Sequence, residues 1–329
     1  MLTPRENAMA IYNHEQPDYY GDFMESLAMI FDPMFMRDRT PQDGLEHKDS
    51  WGTTYIYKPG APGRHPHITD ENVVIKDIEH WQDYVHVPSI KDLDWSEAEA
   101  KAAQVDRNVR LLCVPCAAGL FERSHFLMGM ENALVNYMEY PEEMAGLLRV
   151  IADWKIEAIH AFGKHLHPDV IFYHDDWGSK QNVFLPPHVW REIIKPLQQE
   201  ISDAIHEEGM IYMHHADCIC QPIVTDMVDI GVDIWQGVIA QNDIVEIQRI
   251  TEGKLAMIGG IDGPAIDIQG ISEEAIRAEV RRAIDTYCPA GRFYPSIPSG
   301  ICFIKWNDDI CKDELKKYGR QWALEHPIK

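Results

Sequence analysis

A chain of 329 residues, 45% hydrophobic and 25% charged, has the make-up of a globular protein with a sizeable core, not of a disordered or fibrous one. Its formal net charge of −23 repels polyanions and so disfavours nucleic acid and anionic membrane surfaces as partners, while leaving room for a local basic pocket. No run of about 18 apolar residues and no apolar signal-peptide core at the start give the expectation of a cytoplasmic protein. There, seven cysteines, an odd number, are expected as reduced thiols, some of them candidate metal ligands.

Residues 1–105 are the least regular part. Residues 9–12 suggest a helical turn, and the apolar spacing over 20–31 predicts a short helix. Residues 51–57, rich in aromatic and β-branched side chains, predict a strand that Pro59-Gly60-Ala61-Pro62-Gly63 breaks. A ribbon at 73–76 is expected to pair with it, followed by a short helix over 78–85.

From residue 109 a rhythm sets in. Short apolar runs at 109–116, 170–174, 210–215, 234–238, 255–258 and 293–297 read as strands, and amphipathic helices lie between them. One helix over 187–208 carries Trp190, Ile193, Ile194, Leu197, Ile201 and Ile205, with a kink expected at Pro196 and a stop at Gly209. Another follows Ser272, with Glu273 and Glu274 in its first turn. Strands alternating with helices imply parallel pairing and right-handed crossovers.

Unusual polar residues recur after strand upon strand: Glu122 and Arg123, Asp175 and Asp176, His215 to Cys218, Asp262, and Cys302. Many strands feeding one mouth is barrel behaviour, whereas an open sheet concentrates its site at one switch point. The expectation is an α/β protein, a single (β/α)8 TIM barrel over 1–329, with 1–105 as an irregular cap and 106–329 as the main barrel.

The segment 209–220 holds the densest chemistry. In a strand ending there, His215 and Asp217 share one face. Imidazole, carboxylate and thiol are all zinc donors, so His215, Asp217 and Cys218, joined by Cys302 from the end of the last strand, form a candidate metal shell. The competing reading has His215 and Asp217 bonded to each other and the cysteines packed. Asp175 and Asp176 beside Trp177 offer a carboxyl of raised pKa or an anchor for a polar substrate, against helix capping as the alternative. Glu122 and Arg123 read as substrate contacts or as an ion pair. Cys113-Val114-Pro115-Cys116 reads as buried thiols before a redox pair. Gly259-Gly260-Ile261-Asp262 is too short for a dinucleotide fingerprint and signals a backbone closely approached by ligand or chain.

Together, Gly119-Leu120-Phe121-Glu122-Arg123 with Met130-Glu131-Asn132-Ala133-Leu134, Asp175-Asp176-Trp177-Gly178-Ser179, His215-Ala216-Asp217, Gly231-Val232-Asp233, Gly259-Gly260-Ile261-Asp262 and Ser299-Gly300-Ile301-Cys302 resemble the uroporphyrinogen decarboxylase superfamily of (β/α)8 barrels. The decarboxylase branch carries an arginine-containing stretch near its N-terminus for the porphyrinogen carboxylates; here the first 36 residues contain only Arg5. The chain is nearer the corrinoid-dependent methyltransferases, where a histidine, a nearby cysteine and a late cysteine hold zinc. His215 matches that histidine, Asp217 stands in the place of the nearby cysteine with Cys218 one further on, and Cys302 suits the late cysteine.

The resemblance implies transfer of a methyl group from a small methoxylated or methylated substrate to the cobalt of a corrinoid (cobalamin) carried by a partner protein, and a homodimer. Glu122, Asp176 and His215 are the expected catalytic residues. Phe121, Arg123, Tyr173, Asp175, Trp177 and Asp262 are the expected substrate contacts, with Phe121, Tyr173 and Trp177 as an aromatic wall. A uroporphyrinogen decarboxylase-type lyase is the alternative, and a barrel that only binds a small molecule is the third reading.

Overall fold

The computed structural model describes residues 1–300 and 302–328. In chain order its strands are β1 Leu27–Met29, β2 Glu46–Lys48, β3 Thr54–Ile56, β4 His65–Pro66, β5 Leu111–Cys116, β6 Val170–His174, β7 Ile211–His215, β8 Ile234–Val238, β9 Ala256–Gly260 and β10 Phe293–Ser296. All six strands expected after residue 109 form. Every residue of β5, β8, β9 and β10 is buried, because a parallel sheet covered on both faces selects continuous apolar runs over alternating ones.

These six and β1 make one parallel sheet in the order β1-β5-β6-β7-β8-β9-β10. The long helix Pro141–Leu166 crosses between β5 and β6 and buries Leu147, Leu148, Ile151, Ile159 and Phe162. The sheet curls. Phe23, just before β1, meets Tyr294 of β10 edge-on with ring centroids 4.9 Å apart, so the two edge strands face each other. The (β/α)8 expectation is met in its coarser form: among the described residues seven parallel strands pair into a curled sheet compatible with a TIM-like barrel, and the side chains of Phe23 and Tyr294 meet between its edge strands.

β1 lies where a helix was expected. Phe23–Ser26 makes a 3-10 turn, and Leu27–Met29 then pairs in parallel with Leu111–Cys113. An apolar spacing that suits a helix is overridden by an open sheet edge waiting for a strand. The small antiparallel sheet β2-β3-β4 also differs from expectation. Residues 73–76 form no strand there; Val74 and Ile75 instead donate to the Leu127 carbonyl, at 3.1 and 2.8 Å. This sheet rests on the helix Leu120–Met128 through Tyr55 against Phe126. The kink expected at Pro196 takes the form of a π turn, Trp190–Ile194, just ahead of the proline. Ser272 caps Glu273–Tyr287 by accepting from the Ala275 N–H. No helix among the described residues is long and apolar enough to cross a membrane.

Candidate functional site

Register assembles the site. His174 of β6 lies opposite His215 of β7, which lies opposite Gln236 of β8, so the three share one face at the carboxyl ends of neighbouring strands. The two imidazoles stack with centroids 4.2 Å apart. Each has its Nδ1 engaged: His174 with Glu122 Oε2 at 3.0 Å, and His215 with Gln236 Oε1. Gln236 donates its amide to the Pro298 carbonyl at 3.0 Å, which turns its oxygen toward His215 and makes Nδ1 of that ring the protonated nitrogen. Nε2 is therefore the nitrogen each ring keeps for a ligand. Asp176, two residues beyond His174, accepts from the Asp217 N–H at 3.0 Å. Donor atoms of His174, Asp176 and His215 all lie within 4.8 Å of one another.

The charges are set by burial and by each other. Burial disfavours a charge on His174, but the Glu122 carboxylate outweighs it and raises the imidazolium to about 9. Burial likewise opposes ionisation of Glu122, yet His174, with His125 and His215 behind it, holds that carboxyl below its usual range. His215 is pushed down to about 4 by burial and by the charge on His174, so it is neutral near pH 7. Burial and the Glu122 charge push Asp176 up to about 7. His125, half-buried, is pushed down to about 4 by its loss of hydration.

Two imidazoles and a carboxylate, with a carboxylate and an amide oxygen holding the far side of the rings, suit a divalent metal. Three protein ligands with an open position is the arrangement of catalytic zinc, and such outer partners fix the tautomer and orientation of ligating histidines. The same set of two imidazoles and one carboxylate also occurs around non-haem iron.

This set differs from the expected shell of His215, Asp217, Cys218 and Cys302. β7 ends at His215, so the alternation that would keep Asp217 on its face stops, and Asp217 instead pairs with Lys180 at 2.7 Å. Cys218 is buried with its Sγ 3.5 Å from that of Cys220. Cys302 lies against Asp267 at 3.4 Å, and burial and that carboxylate push its thiol up to about 11. Only His215 of the four joins the cluster.

Several expected substrate contacts are structural. Tyr173 faces away from His174 by strand alternation and is fully buried. Asp175 accepts from the Phe121 and Glu122 N–H groups at 3.1 and 2.8 Å and from Trp177 Nε1 at 2.9 Å, so it caps the helix Leu120–Met128. Trp177 stacks on His214, and Phe121 lies between Tyr137 and Phe184. The aromatic wall is thus core packing. Asp262 accepts from the Ala265 N–H and caps a short helix. Glu122 and Arg123 do not pair with each other; Arg123 turns away to Asp49 at 2.6 Å. Cys113 and Cys116 are buried thiols, and the close approach at Gly260 comes from Phe293 and Tyr287, 2.7 and 2.8 Å from where a Cβ would sit.

His174, Gln236 and His125 were missed. The signal for His174 was repetition: His174-Asp175-Asp176 and His215-Ala216-Asp217 place the same His-x-Asp at the ends of successive strands. Gln236 offered only a polar side chain inside an apolar strand.

A curled parallel sheet with titratable side chains gathered at the carboxyl ends of its strands is the frame of a barrel-type α/β enzyme. The model of the uroporphyrinogen decarboxylase (URO-D) family matches residues 50–295, and the chain belongs to that family. Among solved structures it resembles a methyltransferase from Methanosarcina mazei, with a TM-score of 0.67 over 97% of this chain and 99% of the other; at 16% identity that likeness shows the fold. No curated protein matches the chain.

Proposed function

We propose that this protein is a methyltransferase that moves a methyl group from a small methoxylated or methylated compound to the cobalt of a corrinoid carried by a partner protein. The observation that carries the reading is the cluster of His174, Asp176, His215 and Glu122 at the strand ends. Membership of the URO-D family and the likeness to a methyltransferase support it. In the transfer the methyl carbon gains a bond to Co(I) and loses its bond to the substrate heteroatom, which leaves with the bonding pair and needs a proton.

Asp176, with its carboxyl near 7, and the His174 imidazolium, held charged by Glu122, are the acids at that point. Neutral His215, fixed by Gln236 with its Nε2 unprotonated, positions the substrate by accepting a hydrogen bond from an N–H or O–H group that the substrate carries. Where a zinc ion is bound, His174, Asp176 and His215 would hold it and it would supply Lewis acidity for the same leaving atom.

The test is methyl transfer to reduced cobalamin, followed by its absorbance, across a panel of methoxylated aromatics and methylamines. Wild-type turnover with loss in His215→Ala and Asp176→Asn is expected; silence across the panel counts against the reading. Loss of carboxyl groups from uroporphyrinogen would establish the lyase that the family's name points to. Tight ligand binding with no turnover of any kind would favour a barrel that only binds.

A further inference from the structure

The three donors of the cluster are not held alike. His174 and His215 sit on strands, and each ring is braced by a side chain, Glu122 for the first and Gln236 for the second. Asp176 lies beyond the end of β6, and its carboxylate takes a backbone partner, the Asp217 N–H at 3.0 Å. Where Asp176 points is therefore set by the turn that follows β7, residues 216–221, and by the groups that keep this turn in place.

Those groups differ in weight. The Trp235 indole donates to the Ala216 carbonyl at 2.8 Å, and the Ile219 N–H donates to the Ser179 carbonyl at 2.9 Å. Lys180 pairs with the Asp217 carboxylate at 2.7 Å, but its side chain is 60% exposed, so solvent leaves this ion pair little to contribute. Asn242, in the loop between β8 and the helix Ile244–Ile250, is 2% exposed. Its Oδ1 accepts from the Cys220 and Gln221 N–H groups, both at 3.2 Å, and its Nδ2 donates to the Cys218 carbonyl at 3.0 Å and to the Ile239 carbonyl of its own loop at 3.4 Å. One buried amide thus brackets Cys218-Ile219-Cys220, directly after Asp217, and its loss would leave buried donors and an acceptor unmatched.

We propose that Asn242 is the positioning residue for Asp176: by tying the turn to the loop of the neighbouring strand it aims the Asp217 N–H at the carboxylate, and so places the third donor of the cluster. The consequence for a metal rests on the reading above, in which the cluster holds zinc; the hydrogen-bonded path from Asn242 to Asp176 does not.

Two measurements on the full chain test it. Zinc affinity, by competition with a chromophoric chelator, is expected to fall about tenfold or more in Asn242→Ala and by less than about threefold in Lys180→Met. In a cycle with Asp176→Ala the losses are expected to be non-additive, Asn242→Ala removing little more once the carboxylate is gone. In metal-free protein the Asp217 amide should exchange about tenfold or more faster in Asn242→Ala, while the amides of Met213 and His214 within β7 keep wild-type protection. Should Asn242→Ala fail to fold, Asn242→Asp, which keeps the acceptor oxygens and loses the donated bonds, carries the same measurements. Wild-type exchange at Asp217, equal acceleration throughout β7, additive zinc losses in the cycle, or a Lys180→Met loss as large as that of Asn242→Ala would each overturn the assignment. A wild type that binds no zinc would sink the metal reading alone, and exchange at Asp217 would then decide for or against Asn242.

Discussion

At His174 two opposing effects meet, and the ion pair with Glu122 wins over burial. A histidine raised from 6.5 to about 9 by folding adds stability that is fully present below about pH 6.5 and lost as pH rises through 9. Asp176, raised from 3.8 to about 7, acts in the same direction at lower pH. Glu122, held down, acts in the opposite one: its contribution is present above 4.5 and lost as pH falls below that. Chelator-treated protein should therefore melt at progressively lower temperature from about pH 6.5 to 9. Glu122→Gln should move that decline to lower pH; a melting temperature flat across this range in the wild type would contradict the ion pair. Gln236 is the positioning residue on the other ring. Gln236→Leu should lower zinc affinity by roughly 10–100-fold, measured by competition with a chromophoric chelator. An unchanged affinity, with the fold intact, would detach His215 from the proposed metal site.

Between β6 and the helix that follows β5, the decisive contact is Asp175. Its carboxylate receives two backbone N–H groups from the first turn of Leu120–Met128 and one indole N–H. Glu122 reaches His174 because that turn is held there. Asp175→Ala should cost about 2–4 kcal/mol in urea unfolding, since the freed donors are buried. Gly119 belongs to the same contact: a Cβ there would sit 2.3 Å from Asp175 Cβ, so Gly119→Ala should destabilise comparably and disturb the Glu122–His174 pair as well. A Gly119→Ala protein with wild-type stability and an unshifted pH profile would show that the turn can move freely. None of this is written in residues 119–123 alone, because the partner of the turn lies more than fifty residues away.

Across the whole molecule, the weak line is the seam between β1 and β10, where Phe23 packs on Tyr294 and the Tyr294 hydroxyl donates to the Ala8 carbonyl at 2.7 Å. Phe23→Ala should cost roughly 3–5 kcal/mol, and hydrogen exchange should quicken first in β1 and β10. Uniform acceleration over the sheet would mean the seam is not a separate unit. Strands β5 to β10 were legible as apolar runs because burial on both faces leaves that imprint. β1 was not, because Phe23 to Ile30 has helical apolar spacing and becomes a strand only through pairing with β5.

The amino-acid order by itself carried the alternation of strand and helix, the family, and the residue types that crowd the strand ends, since periodicity and local chemistry are properties of neighbours in the chain. Which donors meet was decided by tertiary structure alone. Inter-strand register put His174 beside His215, and the end of β7 turned Asp217 aside, so the cysteines were left to the core and to Asp267. Register and strand ends depend on partners far off in sequence, and a shift of one residue exchanges the faces of a strand.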